Sequence, residues 1–323
     1  MTVSRVINDE GNVRQATREV VNKAIDELGY TPNQAARSLA GADQIRIGMF
    51  YDDARTSYVS TVLVGGLQQA SKRNVQLSIM RSATFEEGEE AIRRLASGGI
   101  DGIVLPPPLS DSVRVLELLE RQDIATVIIA SGDPLTPFSA VGIDDFEAAR
   151  AMIDHIIGLG HTRIGFIAGA ARQLASRQRL AGYKAALKNA GIAFDETLIA
   201  EGEFTYKSGL GAARKLLSLD PQPTAIFASN DEMAVATIAI AHRRGIDVPN
   251  DITVCGFDDT LLAVTVWPEL TTVRQPIEEM CRAAVDRLID EIRARRAGKE
   301  PVREHIILDF KIVHRNSDAP PRK

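Results

Sequence analysis

Cysteine is almost absent from this chain: Cys255 and Cys281 are the only two in 323 residues. Neither has a cysteine or histidine nearby at metal-ligand spacing, so both read as plain thiols, and no metal or cofactor is expected. No apolar run approaches the length of a bilayer crossing, which excludes a membrane-spanning helix. The start carries no charged-then-apolar signal segment, which argues for a cytoplasmic location. Enzyme signatures are missing as well. No Gly-x-Gly-x-x-Gly follows a strand, there is no phosphate loop or nucleophile elbow, and the five histidines are scattered. Internal repeats and low-complexity stretches are also absent. So is an excess of positive charge. The net charge is −5, and residues 1–44 hold Arg5, Arg14, Arg18, Lys23 and Arg37 against Asp9, Glu10, Glu19, Asp26, Glu27 and Asp43. Bulk charge therefore gives no support for a nucleic-acid partner.

The composition that remains, 45% hydrophobic and 25% charged, is that of an ordinary soluble protein long enough for two core domains and a small extra one. From Ile45 onward short apolar strands alternate with helical patterns. IRIGMFY, VQLSIMR, DGIVLPPP and ATVIIAS form a first set, with helices at about 58–73, 85–97 and 110–121 between them. Helices at about 145–159, 176–190 and 232–243 alternate with RIGFIAG, TAIFAS and ITVCGFDD in a second. Alternation of this kind predicts an α/β fold with parallel sheets and helices on both faces. The strands are continuously apolar, as buried parallel strands are. Two sets predict two doubly wound lobes.

The first 41 residues have a different pattern. Thr2 to Asn8 reads as a helix with Ser4 and Arg5 on one face and Val3, Val6 and Ile7 on the other. Thr17 is expected to cap a second helix that runs to Leu28 and ends at Gly29. Pro32 then starts a short helix, Asn33 to Leu39, closed by Gly41. In a helix-turn-helix the second helix enters the major groove. Arg5 would donate a pair of hydrogen bonds to a guanine edge. Thr2, Ser4, Asn8 and Thr17 suit phosphates, which set register.

The order of TVSRVIN, the pattern TRE…AI.ELGY.PN..ARSL and a following IG strand resembles the lactose-repressor (LacI/GalR) family of transcription regulators, over nearly the whole chain. The resemblance implies two lobes of periplasmic-binding-protein type after an all-α helix-turn-helix headpiece and hinge helix. It implies that Asn33, Ala36, Arg37 and Leu39 lie at DNA, with Leu39 wedged into the minor groove to kink the duplex. Alternatively, Leu39 is only the apolar end of a linker helix. Family members carry about one more helix before Met1, so the headpiece is read as partial. Its remaining helices would then lack a packing partner and hold Arg5 poorly, and operator binding by the chain as written is expected to be weak.

The expected domains are 1–44 for the headpiece, 45–143 plus about 275–303 for the first lobe, 144–272 plus about 304–316 for the second, and a loose polar tail at 317–323. The crossings between lobes fall near Gly142–Asp144, Thr271–Gln275 and Glu304. Ligands of open α/β sheets sit beyond the carboxyl ends of the strands. Asp144 and Asp145, Asn230 and Asp231, and Asp258 and Asp259 stand there, and Arg179 opens RLAGY on a helix. The resemblance implies that Arg179, Asn230 and Asp258 line an effector pocket and places Tyr58 and Phe204 at pocket positions; Asp144, from its strand end, and Trp267, as an apolar wall, complete the expected site. Each has another reading. Asn230 and Asp231 suit a helix cap, one of Asp258 and Asp259 is a turn residue, Trp267 suits packing, and His161 sits in a tight structural turn. The expectation is a repressor that binds a roughly palindromic operator as a homodimer, no C-terminal leucine heptad being present to make a tetramer. A neutral sugar or glycoside is the expected effector. The alternatives are a purine, for which Phe204 would stack, another metabolite, or a ligand-binding module without a DNA role.

Overall fold

The computed structural model describes residues 13–28, 44–53, 55–82, 84–130 and 137–322, together with Val3 and Val6. The chain divides into two units, Met1–Gln44 and Ile45–Lys323. In the first, helix α1 (Gln15–Leu28) begins three residues before the start that a cap at Thr17 implies. Thr17 is therefore inside the first turn, its N–H donating to the Arg14 carbonyl at 3.0 Å, and it is not the cap. Val3 and Val6 are helical, Val6 buried and Val3 exposed. The expected DNA contacts Thr2, Ser4, Arg5, Asn8, Asn33, Ala36, Arg37 and Leu39 lie outside the described residues.

The second unit opens with β1 (Arg46–Tyr51), α2 (Ser57–Lys72), β2 (Gln76–Arg81), α3 (Phe85–Ser97), β3 (Gly102–Leu105), α4 (Val113–Arg121), β4 (Ala125–Ile129) and β5 (Ser139–Gly142). It continues with α5 (Asp145–Gly158), β6 (Ile164–Ala168), α6 (Leu174–Asn189), β7 (Ile199–Glu201), α7 (Tyr206–Leu216), β8 (Ala225–Ala228), α8 (Asp231–Arg243), β9 (Thr253–Asp258), α9 (Leu261–Thr265) and β10 (Thr271–Arg274). Helix α10 (Ile277–Arg296), β11 (His305–Ile307) and β12 (Lys311–Val313) complete it. One sheet has the order β11–β5–β4–β3–β1–β2 and is parallel throughout. The other runs β12–β10–β9–β8–β6–β7 and is parallel except for β12, which lies antiparallel on β10.

Register follows from burial on both faces. Ile47 stands beside Leu77 and Gly102. Phe166 stands beside Phe227, which stands beside Cys255. Helices begin where a short polar side chain can take a backbone N–H: Thr84, Ser112, Asp144 and Asn230 accept from Glu87, Val115, Glu147 and Met233. Apolar residues on the two sheets merge on one side into a continuous core that runs from Met49, Val127 and Leu288 to Phe166, Phe227 and Phe257. Separate cores cover the opposite faces.

The third crossing lies at 308–310, past the expected position. Glu304 still belongs to the first sheet's side: its carbonyl accepts from Ala140 N at 3.0 Å and its N–H donates to Ser139 Oγ at 3.0 Å. A three-residue strand such as β11 is too short to show periodicity. The tail is not loose either. Ser317 is fully buried, with its hydroxyl donating to the Val254 carbonyl and accepting from Thr271 N, and the Ala319 carbonyl takes hydrogen bonds from Thr253 and His161. His161 thereby uses both ring nitrogens structurally, the other meeting Thr224 Oγ1 at 2.9 Å.

Candidate functional site

Between the lobes, at the carboxyl ends of the strands, lies a cavity lined from both sides. The second lobe supplies its charged wall. Arg179, from the first turns of α6, is buried. Its Nε donates to Asp145 Oδ1 at 2.8 Å and its Nη1 to the Ser229 carbonyl at 2.5 Å, and its guanidinium lies 3.6 Å from the centre of the Phe257 ring. Asp258, at the end of β9, is 3.9 Å from Arg179 and accepts from Gln275 Nε2 at 2.5 Å. Burial pushes the Asp258 carboxyl well above its ordinary value, against the pull of Arg179. Behind this wall Asp231 is buried and accepts from Thr260 N, Thr260 Oγ1 and Thr272 Oγ1. Burial raises it to about 7 despite those bonds.

Asn230 serves both readings of its sequence position. Its carbonyl oxygen caps α8, while its amide donates to the Phe204 carbonyl at 2.9 Å, and the side chain borders the cavity. That bond helps hold Phe204 at φ +57°. Gly169 makes the conformation possible, since a Cβ there would stand 2.0 Å from the Phe204 ring. Ala130 and Asp258, also at the cavity, have φ of +59° and +114°. Non-glycine residues in this region carry strain that tends to collect where ligands are held.

The first lobe contributes Tyr58 and Val59 from α2, Asp52 and Asp53 after β1, and Pro107 and Pro108 after β3. Among the described residues, the Tyr58 hydroxyl is a buried polar group without a hydrogen-bond partner. Burial, first, and the Asp258 charge raise its pKa. Two carboxylates cross between the lobes onto the first N–H of a helix. Glu232 accepts from Ser57 N and Asp111 from Leu174 N, each at 3.2 Å. Burial raises both acids, Asp111 to about 6.

The structure thus brings Tyr58, Arg179, Phe204, Asn230 and Asp258 to one cavity and leaves out Asp144 and Trp267. Asp144 caps α5 and spends its carboxylate on Glu147 N at 2.9 Å. The next residue, Asp145, is the one turned inward onto Arg179. Trp267 is 76% exposed. Gln275 and Glu232 border the cavity without having been singled out; Gln275 fell on an expected crossing, which was the available signal.

The model described as "Bacterial regulatory proteins, lacI family" matches residues 1–33, and "Periplasmic binding protein-like domain" matches 153–317. The HTH-type transcriptional regulator DegA of Bacillus subtilis (strain 168) is 35% identical over 323 residues, covering 99% of this chain and 94% of DegA. The chain belongs to the lactose-repressor family. Among solved structures, a transcriptional regulator CelR–cellobiose complex is 32% identical with a TM-score of 0.77, over 97% of this chain and 94% of that one. The lac repressor dimer bound to operator and the anti-inducer ONPF is 26% identical with a TM-score of 0.84, over 98% and 94%. As a lactose-repressor family member the chain is a transcription regulator and not an enzyme. Among the described residues no helix is long and apolar enough to cross a membrane.

Proposed function

We propose that this regulator represses transcription from a palindromic operator and that a neutral sugar, of one or two rings, sets its operator affinity from the cavity between the lobes. The observation that carries this reading is the buried Arg179–Asp258–Asn230 wall facing the Tyr58 hydroxyl. A guanidinium, a carboxyl, an amide and a phenol hydroxyl can each exchange hydrogen bonds with sugar hydroxyls, and the Phe204 ring supplies an apolar face. Four further acidic side chains border the cavity (Asp52, Asp53, Glu203 and Glu232) against Arg172 and Arg179, which disfavours sugar phosphates and other anions. The structural likeness to a cellobiose complex supports a sugar of this size. The Phe204 ring favours a second reading, a purine stacked on that face.

Calorimetry with cellobiose, glucose, glucose 6-phosphate, guanine and hypoxanthine tests the choice. A neutral sugar bound at micromolar affinity and altering binding to a selected palindromic duplex at fixed salt is expected. Tight purine binding with no sugar response would overturn the sugar reading.

The DNA-bound form is proposed to be a dimer, since one headpiece reads a half-site. Val64 and Leu67 on α2 and Leu261, Val264 and Trp267 in and after α9 are exposed apolar side chains on the two lobes. They supply the surface a partner would cover. Light scattering at micromolar concentration should give two chains per particle, and a monomer or stable tetramer would contradict it.

A further inference from the structure

The carboxyl end of α5 carries a group of side chains that the cleft does not use. His155, in the last turn of α5, His314, just after β12, and Asp318, in the tail, place their ligand atoms within 4.8 Å of one another. His155 is ten residues beyond Asp145 along the helix, or about 15 Å at the α-helical rise, so the group stands apart from the effector wall.

We propose that His155, His314 and Asp318 form a binding site for a divalent transition-metal ion, with zinc the best fit. Two imidazoles and one carboxylate suit zinc and its neighbours, whereas magnesium and calcium prefer all-oxygen ligands. Three protein ligands leave a fourth, tetrahedral position for water. Two of the three already meet: His155 Nε2 and Asp318 Oδ2 are 2.7 Å apart, and the ion would replace the proton they share and part them to ligand spacing. His155 would then keep its proton on Nδ1. The rings of His155 and His314 have centroids 4.5 Å apart. Ligand atoms around a tetrahedral zinc are about 3.3–3.5 Å apart, from bonds of about 2.0–2.2 Å. His314 is exposed, so side-chain rotation can close the difference.

The surroundings prepare Asp318 as a ligand. Its second oxygen accepts from the Thr271 hydroxyl, the kind of outer hydrogen bond that orients metal-bound carboxylates. The residues on either side are pinned, Ser317 to Val254 and Thr271 and Ala319 to Thr253 and His161. A cation in the last turn of α5 also meets the negative end of the helix dipole. Bound metal would clamp the tail and β12 onto α5.

The test uses tag-free, chelator-stripped protein. Zinc is titrated against a chromophoric chelator, and cobalt(II) is added separately to read its visible absorption. One ion per chain, with affinity of micromolar order or tighter and four-coordinate cobalt bands, is expected. Zinc should also raise the melting temperature. His314→Ala changes an exposed side chain, so its metal-free melting curve should match the parent's. It should nevertheless lose more than the about 10- to 100-fold in affinity that removing an outer hydrogen-bond partner costs. His305→Ala, outside the group, should bind as the parent does. Absence of binding below about 100 μM, or equal affinity in His314→Ala, would show that the group is a His–Asp hydrogen bond and nothing more.

Discussion

The two walls of the cleft differ in how completely they are tied down. On the second lobe Arg179, Asp258 and Asn230 each have protein partners, and the carboxylates behind them are held by hydroxyls and backbone. On the first lobe the Tyr58 hydroxyl has none, and Asp53 is bonded locally to Arg55. A wall whose polar groups are already oriented is rigid, and it favours a ligand that matches the hydrogen-bonding capacity those groups have left. A wall with an unmet donor gains when ligand draws it in. The difference suggests that the second lobe recognises and the first responds.

The largest effect should follow from emptying the rigid wall. Arg179→Met leaves Asp145 and Asp258 buried without their cation. Breaking a buried ion pair in this way costs about 3–5 kcal/mol. A melting-temperature drop is expected together with a loss of about 10- to 150-fold in effector affinity, given that a charged hydrogen bond is worth about 1.5–3 kcal/mol. A variant with parental stability and affinity would remove the rigid wall from the account. Asn230→Ala comes next. It loses a helix cap, worth about 0.5–2 kcal/mol, and releases the Phe204 carbonyl, so both stability and binding should fall. Asn230→Asp keeps the cap and loses the amide donor. Comparing the two by calorimetry and thermal melts separates the cap from the ligand contact.

The responsive wall should behave in the opposite way. Tyr58→Phe removes a buried hydroxyl with no partner, so the ligand-free protein should be as stable or more so, while effector affinity falls by about tenfold, one neutral hydrogen bond. Parallel loss of stability and affinity would mean that the hydroxyl is already satisfied in the free protein.

Closure itself should depend on pH. Asp111 and Glu232 are raised by burial between the lobes, and apart they would return to ordinary carboxyl values. The joined lobes therefore bind protons more tightly. Closure is favoured as pH falls through about 6 towards the ordinary value and loses that advantage as pH rises through about 6. Arg177 pulls Asp111 down, while Asp145 raises it and Asp53 raises Glu232. If the effector needs the lobes together, its affinity should rise on acidification from pH 7 to 5, and less steeply in Asp111→Asn. Equal slopes would show that the lobes stay joined with and without ligand.

Much of this arrangement was legible in the sequence because strand ends mark ligand sites in open α/β sheets. TAIFASND and ITVCGFDD pointed to Asn230 and Asp258, whereas Arg179, on a helix, was implied only by the family resemblance of RLAGY. What was not legible depended on single-residue differences in direction. Asp144 and Asp145 are adjacent and chemically alike, yet the first is held by its own helix and the second faces Arg179. Trp267 lies beyond a five-residue helix, too short for its facing to be read from a period. Ser317 and Asp318 sit in a polar stretch whose anchoring partners, Thr271, Val254 and His155, are far away in sequence.

The smallest expected effect tests that directional difference. Asp144→Ala removes one cap from α5, a loss of about 1 kcal/mol, and touches nothing in the cavity. Effector affinity should stay within about twofold of the parent's, the size of a change transmitted only by a few tenths of a kcal/mol. Asp145→Ala removes the carboxylate that holds Arg179 Nε and should weaken binding far more, although its side chain does not border the cavity. Calorimetry on the pair decides which of two adjacent aspartates the site depends on. If Asp144→Ala were the more damaging, the cap rather than the Arg179 partner would be setting the position of the wall, and the start of α5 would have to be counted among its movable parts.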